Sequence, residues 1–279
     1  MDYSQVCIAN YMQALGKYTN TPVEIETVRH MILNSLRAIN SKFRNEYGEL
    51  VIAVDDNNSW RKQVFPYYKA NRKVARSASD VDWGALFQCL STVKEEIIEN
   101  MPYKVVEVVG AEADDIIAWL SRHAVNAQEP CLIISGDHDF IQLQIDNIFV
   151  KQYDTKHDRW ITHDEPRRYL FEHVIKGDLG DGIPNAYSLD DHYVNKVSRA
   201  KPVTKKKLDE LWENGPGELA SSPHFKRNLE MIDLRRTPEQ IKLNIRDTYF
   251  ALPNKDKSRV LNYFIKHSLR KLAQSLGDF

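Results

Sequence analysis

Apolar side chains at Val28, Ile32, Leu36, Ile39 and Phe43 recur at spacings of three and four, which predicts an amphipathic helix over residues 24–45. Gly48 breaks that pattern, and the short apolar run 50–54 after it reads as a strand. Trp83, Leu86, Phe87, Leu90, Val93, Ile97 and Met101 restore the helical spacing until Pro102 ends it. Residues 104–109 read as a second strand closed by Gly110, residues 112–124 as a helix and residues 131–134 as a third strand. Strands and helices alternating at these lengths predict a parallel sheet with right-handed crossovers and helices on both faces. Past Tyr153 the pattern changes. Residues 154–159 read as a hairpin turn, and from Pro166 onward the chain is mainly helical, with breaks at 177–184, Pro202, 215–217, Pro238 and Pro253. The expected architecture is an α/β core over residues 1–173 followed by a helical domain over 174–279.

Composition changes this picture little. The chain has 279 residues, 42% of them hydrophobic, enough to bury a sizeable core as one large or two smaller domains. Cys7, Cys89 and Cys131 are far apart in apolar contexts and read as buried thiols of a reducing compartment, not as a disulfide framework or a zinc site. No apolar run of membrane-spanning length and no signal peptide is present, so an intracellular soluble protein with no membrane partner is expected.

Charge changes it more. The formal net charge is −1, from 38 Lys+Arg and 39 Asp+Glu. Nine of the acids fall in short clusters: Asp2, Asp55, Glu112-Ala113-Asp114-Asp115, Asp137-His138-Asp139 and Asp178-Leu179-Gly180-Asp181. Setting those nine aside leaves 30 acids against 38 bases, so the rest of the surface is basic. Two clusters directly follow predicted strands, and residues past the carboxyl ends of parallel strands converge on the ligand crevice. Each cluster has an ordinary reading as well. Acids at 112–115 suit a helix start, Asp137-His138-Asp139 suits a strand-to-helix turn, and Asp178 and Asp181 suit a turn and N-cap. Those readings would have to hold at every cluster at once. One shared pocket for hard divalent cations, Mg²⁺ or Mn²⁺, explains them together.

Gly110-Ala111-Glu112-Ala113-Asp114-Asp115, Ile134-Ser135-Gly136-Asp137-His138-Asp139-Phe140 and Ile175-Lys176-Gly177-Asp178-Leu179-Gly180-Asp181 resemble, in this order, the structure-specific 5′ nuclease family. That family includes flap endonucleases and the 5′-exonuclease domains of bacterial DNA polymerases. Tyr67-Tyr68-Lys69-Ala70-Asn71-Arg72 and the ending Ser275-Leu276-Gly277-Asp278-Phe279 are similar to its branch among the T-even bacteriophages. The resemblance implies a PIN-like nuclease core and metal ligands at Asp2, Asp55, Glu112, Asp114, Asp115, Asp137, Asp139, Asp178 and Asp181. It implies two Mg²⁺, with Mn²⁺ as a substitute. It also implies a monomer acting in the host cytoplasm on RNA·DNA hybrid and on branched or 5′-ended duplex DNA, removing primers and cutting 5′ flaps. Single-stranded-DNA-binding protein and a sliding clamp are the partners it suggests.

Residues 60–79 hold six bases, Arg61, Lys62, Lys69, Arg72, Lys73 and Arg76, and no acid, with Tyr67 and Tyr68 interleaved. A solvated basic loop is the plain alternative. In the family this stretch is an arch beside the active site, which implies Lys69 and Arg72 at the scissile phosphate and a tyrosine stacked on a base. A second acid-free run, Arg199-Ala200-Lys201-Pro202-Val203-Thr204-Lys205-Lys206-Lys207, opens a predicted helix. The family places a helix–three-turn–helix over about 178–212. Residues 187–197 lack its Gly-x-Gly turn, so a phosphate clamp at Thr204, Lys205, Lys206 and Lys207 is expected and a K⁺ site is not. A PIN-like ribonuclease acting on free RNA is the rival reading.

Family members carry the first metal-binding aspartate at the end of a central strand, yet only Met1 precedes Asp2. The expectation is therefore that Asp2 sits on a frayed terminus, either because the reading frame starts upstream or because this form is a catalytically impaired DNA-binding protein.

Overall fold

The computed structural model describes residues 1–16, 22–145, 148–195 and 201–279. Helix α1 (Tyr3–Leu15) and helix α2 (Ile25–Tyr47) lead to strand β1 (Val51–Val54). Helices α3 (Trp60–Val64), α4 (Ala70–Ser77) and α5 (Trp83–Asn100) follow, then strand β2 (Lys104–Glu107), helix α6 (Ala113–Asn126) and strand β3 (Cys131–Ile134). Strands β4 (Val150–Asp154) and β5 (Arg159–Ile161) form the expected hairpin, and helix α7 (Pro166–Lys176) starts on its proline and ends at Gly177. The rest is helical: α8 (His192–Asn195), α9 (Lys205–Asn214), α10 (Pro223–Ile232), α11 (Glu239–Ala251) and α12 (Val260–Lys266). No described helix is long and apolar enough to cross a membrane. Cys7 and Cys89 are buried and Cys131 half-buried, all as free thiols.

Strands β1 and β2 pair in parallel, β3 and β4 pair in parallel, and β5 closes the edge antiparallel to β4. The first two residues join the two halves. The Met1 amine donates to the Val51 carbonyl at 2.8 Å, Ala53 N–H to Met1 at 2.9 Å, and Asp2 N–H to Ile134 at 3.1 Å. Asp2 is 5% exposed, so the expected frayed terminus is corrected: main-chain bonds to strands on both sides hold it. Beyond the Met1 amine the two strands stand apart around a cleft of about 420 Å³, lined by Phe43, Leu50, Val51, Cys131 and Leu132.

Side chains alternate across the sheet with period two. Ile52, Val54, Val105 and Ile134 join α1, α2 and α5 in one core, while Ala53, Val106 and Ile133 join α6 and α11 in another. A third core, around Trp60, Phe65, Leu170, Leu208, Phe225 and Met231, lies beside the sheet between α3, α7, α9 and α10.

The boundary expected near residue 174 falls inside α7, one uninterrupted helix from N1 proline to C-cap glycine. Nor do the C-terminal helices keep to themselves. Glu96 on α5 accepts both Arg29 of α2 (2.8 and 2.9 Å) and the Tyr263 hydroxyl of α12 (2.7 Å). Phe279 is fully buried in the first core, 5.0 Å from the Phe264 ring. Truncating it leaves a cavity under the sheet. Phe279→Ala is therefore expected to cost about 3 kcal/mol, read from urea unfolding at unchanged slope. A loss below about 1 kcal/mol would show that the chain's end adds little to the core.

Candidate metal centre and nucleic-acid interface

The carboxylates meet where β1, β3 and the Met1–Asp2 segment end. Asp55 follows β1, Asp137 lies three residues past β3, and Asp114 sits in the first turn of α6. Four of them are aimed by the same device, a backbone N–H that captures one oxygen and leaves the other uncommitted to the main chain. Asp2 accepts Gln5 N–H at 3.0 Å, Asp55 accepts Ala113 at 2.9 Å, Asp137 accepts Asp139 at 2.9 Å, and Asp178 accepts Asp181 at 3.0 Å. The Asp178–Asp181 turn is locked by reciprocal bonds between Asp178 and Ile183, at 2.8 and 2.7 Å. Gly177 is required there: at φ +72° a Cβ would stand 2.4 Å from the Ile183 carbonyl oxygen.

Electrostatically the pocket has two poles. At one, burial and like charge hold carboxyls up. Burial, then Asp55 and Asp137, raise Asp2 to about 7, and burial with Asp137 raises Asp139 to about 8. Asp114 is pushed up by burial and Asp137, and Asp137 by burial with Asp181 and Asp178. At the other pole cations prevail. Burial would raise Glu112, but Lys69 (2.6 Å) and Arg61 (3.0 Å) outweigh it and bring the carboxyl to about 2. Asp181 is ion-paired with Arg72 and lies 3.7 Å from the Lys69 ammonium, and the Tyr68 hydroxyl bridges Glu112 and Asp181 at 2.8 Å each.

Three expectations need correction. Arg61 was expected to face DNA. It is 2% exposed, forks onto Asp115 with two bonds of 2.9 Å, and donates to the Met231 carbonyl at 3.0 Å. Asp115 was expected at a metal. Its oxygens instead also accept Trp60 Nε1 (3.1 Å), the Thr237 hydroxyl (2.7 Å) and Glu112 N–H (3.0 Å), which completes a capping box at the start of α6. Tyr68 is 4% exposed with its hydroxyl in the pocket, so it has no face free for a base. Charge and residue type were legible for all three. Which way each side chain turns was not, because that depends on distant segments: Met231 and Thr237 for Arg61 and Asp115, Glu112 and Asp181 for Tyr68.

The other basic residues lie outward. Lys62 and Lys73 are exposed, Arg76 is exposed over the Trp83 and Phe87 rings, and Tyr67 is half-buried with its edge against Phe65. Lys69 adopts a left-handed conformation (φ 57°), its N–H donating to the Asp181 carbonyl at 2.7 Å. Thr204 caps α9, with Lys205 and Lys206 exposed and Lys207 half-buried. Arg199 and Ala200, the first two residues of that run, lie outside the described residues. His173, which no motif singled out, stands at the cation-poor pole between Asp139 and Asp178. Its signal was slight: a histidine on α7, five residues ahead of Asp178.

Residues 2–170 match the 5′-3′ exonuclease N-terminal resolvase-like domain, and residues 165–279 match the C-terminal domain described as T4 RNase H, C terminal. The chain is similar to a ribonuclease H of Enterobacteria phage T4, 30% identical over 293 residues covering 100% of this chain and 94% of that one. It is similar to the flap endonuclease Xni of Shewanella woodyi, 31% identical over 71% of this chain and 78% of the relative. In fold it is similar to a bacteriophage T5 flap endonuclease solved with DNA and metal ions, with a TM-score of 0.61, 16% identity, and coverage of 88% and 96% of the two chains.

Arg61→Leu leaves Asp115 buried without its cation. The expected cost is about 3–5 kcal/mol, against about 0.5 kcal/mol or less for the exposed neighbour in Lys62→Ala. Urea denaturation of both variants makes the comparison. Unchanged stability in Arg61→Leu together with weakened DNA binding would return Arg61 to the interface.

Proposed function

The chain belongs to the 5′-3′ exonuclease family of 5′ nucleases, and from that membership we propose that it removes RNA primers and adjacent DNA from 5′ ends and cuts 5′ flaps during phage replication. The observation that carries the reading is the cation-poor carboxylate pole set directly against an arch whose bases already point into the pocket. A polyanion drawn to those bases is thereby placed over the acids.

The donor set fits divalent cations. Asp2, Asp55, Asp114, Asp137, Asp139 and Asp178 offer hard oxygens around the cation-poor pole, and the burial and repulsion that raise Asp2, Asp114, Asp137 and Asp139 call for positive charge. We assign these six as the residues that would hold two ions, Mg²⁺ with Mn²⁺ as a substitute. Glu112 and Asp181, which the resemblance also implied as metal ligands, serve in this reading to seat the arch cations, and Asp115 to lock Arg61. What a divalent pair supplies when bound is a water of lowered pKa and charge stabilisation at the leaving 3′ oxygen.

The chain's own residues do the rest. Lys69 and Arg72 exchange Glu112 and Asp181 for the scissile phosphate, an exchange of one anion for another at short range. Tyr67 stacks on the displaced 5′ strand. Lys205 and Lys206 present exposed charge, and Thr204 and Lys207 the start of α9, to duplex phosphates, so the substrate is selected by structure and not by base. No role at the DNA is left for Arg61 or Tyr68.

The direct test incubates the protein and Mg²⁺ with 5′-labelled RNA·DNA hybrid, flapped duplex and free single strand. Cleavage of the first two is expected; preferential cleavage of free single-stranded RNA would favour a PIN-like ribonuclease. Asp137→Asn and Asp139→Asn should each abolish turnover while retaining duplex affinity, because phosphate contacts lie elsewhere. Near-normal turnover by both would remove the metal assignment.

The two basic segments should separate kinetically. Lys69→Ala and Arg72→Ala should lower kcat by roughly a hundredfold or more through lost charge stabilisation at the reacting phosphate. Replacing Lys205, Lys206 and Lys207 with alanine should weaken binding and flatten its salt dependence, with kcat little changed. Interchangeable profiles would defeat this division of labour.

A further inference from the structure

We propose that His173 is a direct nitrogen ligand at the outer end of the carboxylate pocket, making that position a mixed nitrogen–oxygen site shared with Asp139 and Asp178. Its imidazole projects from the last turn of α7, with Nδ1 3.4 Å from Asp139 and Nε2 3.4 Å from Asp178. Ligand atoms of the three residues lie within 4.8 Å of one another. Donors about 2.1 Å from one cation stand roughly 3–4 Å apart, so the three groups are near enough for a small side-chain rotation to gather them on a single ion. Both separations exceed the usual 2.7–3.2 Å of an N–H···O bond, so the ring sits between the two acids without a short bond to either, although its contact with Asp178 is enough to lower that carboxyl's proton affinity.

A helix dipole explains why a base suits the end of α7. It does not explain two ring nitrogens turned to carboxylates from two other segments, the turn after β3 and the loop after α7. Lys69, Arg61 and Arg72 all spend their charge at Glu112, Asp115 and Asp181. Among the described residues, His173 is the basic side chain whose ion pairs reach Asp139 and Asp178. A neutral imidazole can ligate through one nitrogen and donate its other N–H to a carboxylate oxygen that is not on the ion, which is the usual arrangement for a metal-bound histidine. The nitrogen donor shifts this position away from Mg²⁺ and toward Mn²⁺ and later divalent metals, relative to an all-oxygen site.

The proposal rests on the metal-dependent reading above, and its test separates the two. The full chain, labelled with ¹⁵N-histidine, is loaded with Mn²⁺ and examined by pulsed electron paramagnetic resonance. Expected is the hyperfine coupling of a directly bonded imidazole nitrogen, present in the wild type and lost in His173→Asp. That variant keeps an oxygen donor, so it should still bind Mn²⁺, with its preference for Mn²⁺ over Mg²⁺ reduced roughly tenfold or more. Bound Mn²⁺ without nitrogen coupling overturns the role of His173 and leaves the nuclease reading intact. Coupling that survives in His173→Asp also overturns it, by pointing to another histidine such as His138. Absence of any bound Mn²⁺ would overturn the metal reading as well.

Discussion

Mutual repulsion among buried carboxylates is the constraint around which this molecule is arranged. Two remedies exist, opposite charge at short range and uptake of a proton or metal cation. The protein applies the first at one end, where Arg61, Lys69 and Arg72 meet Glu112, Asp115 and Asp181. At the other end Asp2, Asp114, Asp137 and Asp139 are left with raised proton affinity. A site built this way is held together before any ion arrives, yet it retains a reason to bind one.

Arg61 connects that electrostatics to the fold. Its guanidinium ties α3 to the start of α6 through Asp115 and to the end of α10 through the Met231 carbonyl. Thr237 and Trp60 complete the shell around the same carboxylate. The third core and the segment leading to α11 are thus docked against the α6 terminus by a saturated buried network, which fixes orientation because any misalignment strands a charge. The arch cations differ. Lys69 and Arg72 are closer to solvent and are paired with acids that a phosphate can replace, so the same pocket carries a permanent ion pair and two exchangeable ones.

Much was determined by the sequence alone. Periodicities of 3.6 and 2 placed α2, β1, α5, β2, α6, β3 and the β4–β5 hairpin to within a few residues, because amphipathic faces must be buried on one side whatever the final packing. The acidic clusters were legible for a similar reason: so many carboxylates after strand ends have few uses apart from holding cations. Helix α1 went unread. Its buried residues Tyr3, Val6, Cys7 and Tyr11 form only a short stripe, and Asp2, a candidate ligand by residue type, is also its N-cap.

Tertiary structure decided what each charge does. Arg61 and Lys62 are adjacent in a run of bases, yet one is sealed in the interior and the other lies in solvent, because helix α3 turns one face to α10. Glu112, Asp114 and Asp115 are three acids in four positions, divided among arch, pocket and capping box by the direction of each Cβ on the first turn of α6. Asp2 is held because β1 and β3 happen to flank it, and His173 joins Asp139 and Asp178 only when α7 packs beside the turn after β3. Local pattern specifies which residues can be buried or charged. Long-range packing specifies which of them face one another, and chemistry needs the second kind of information.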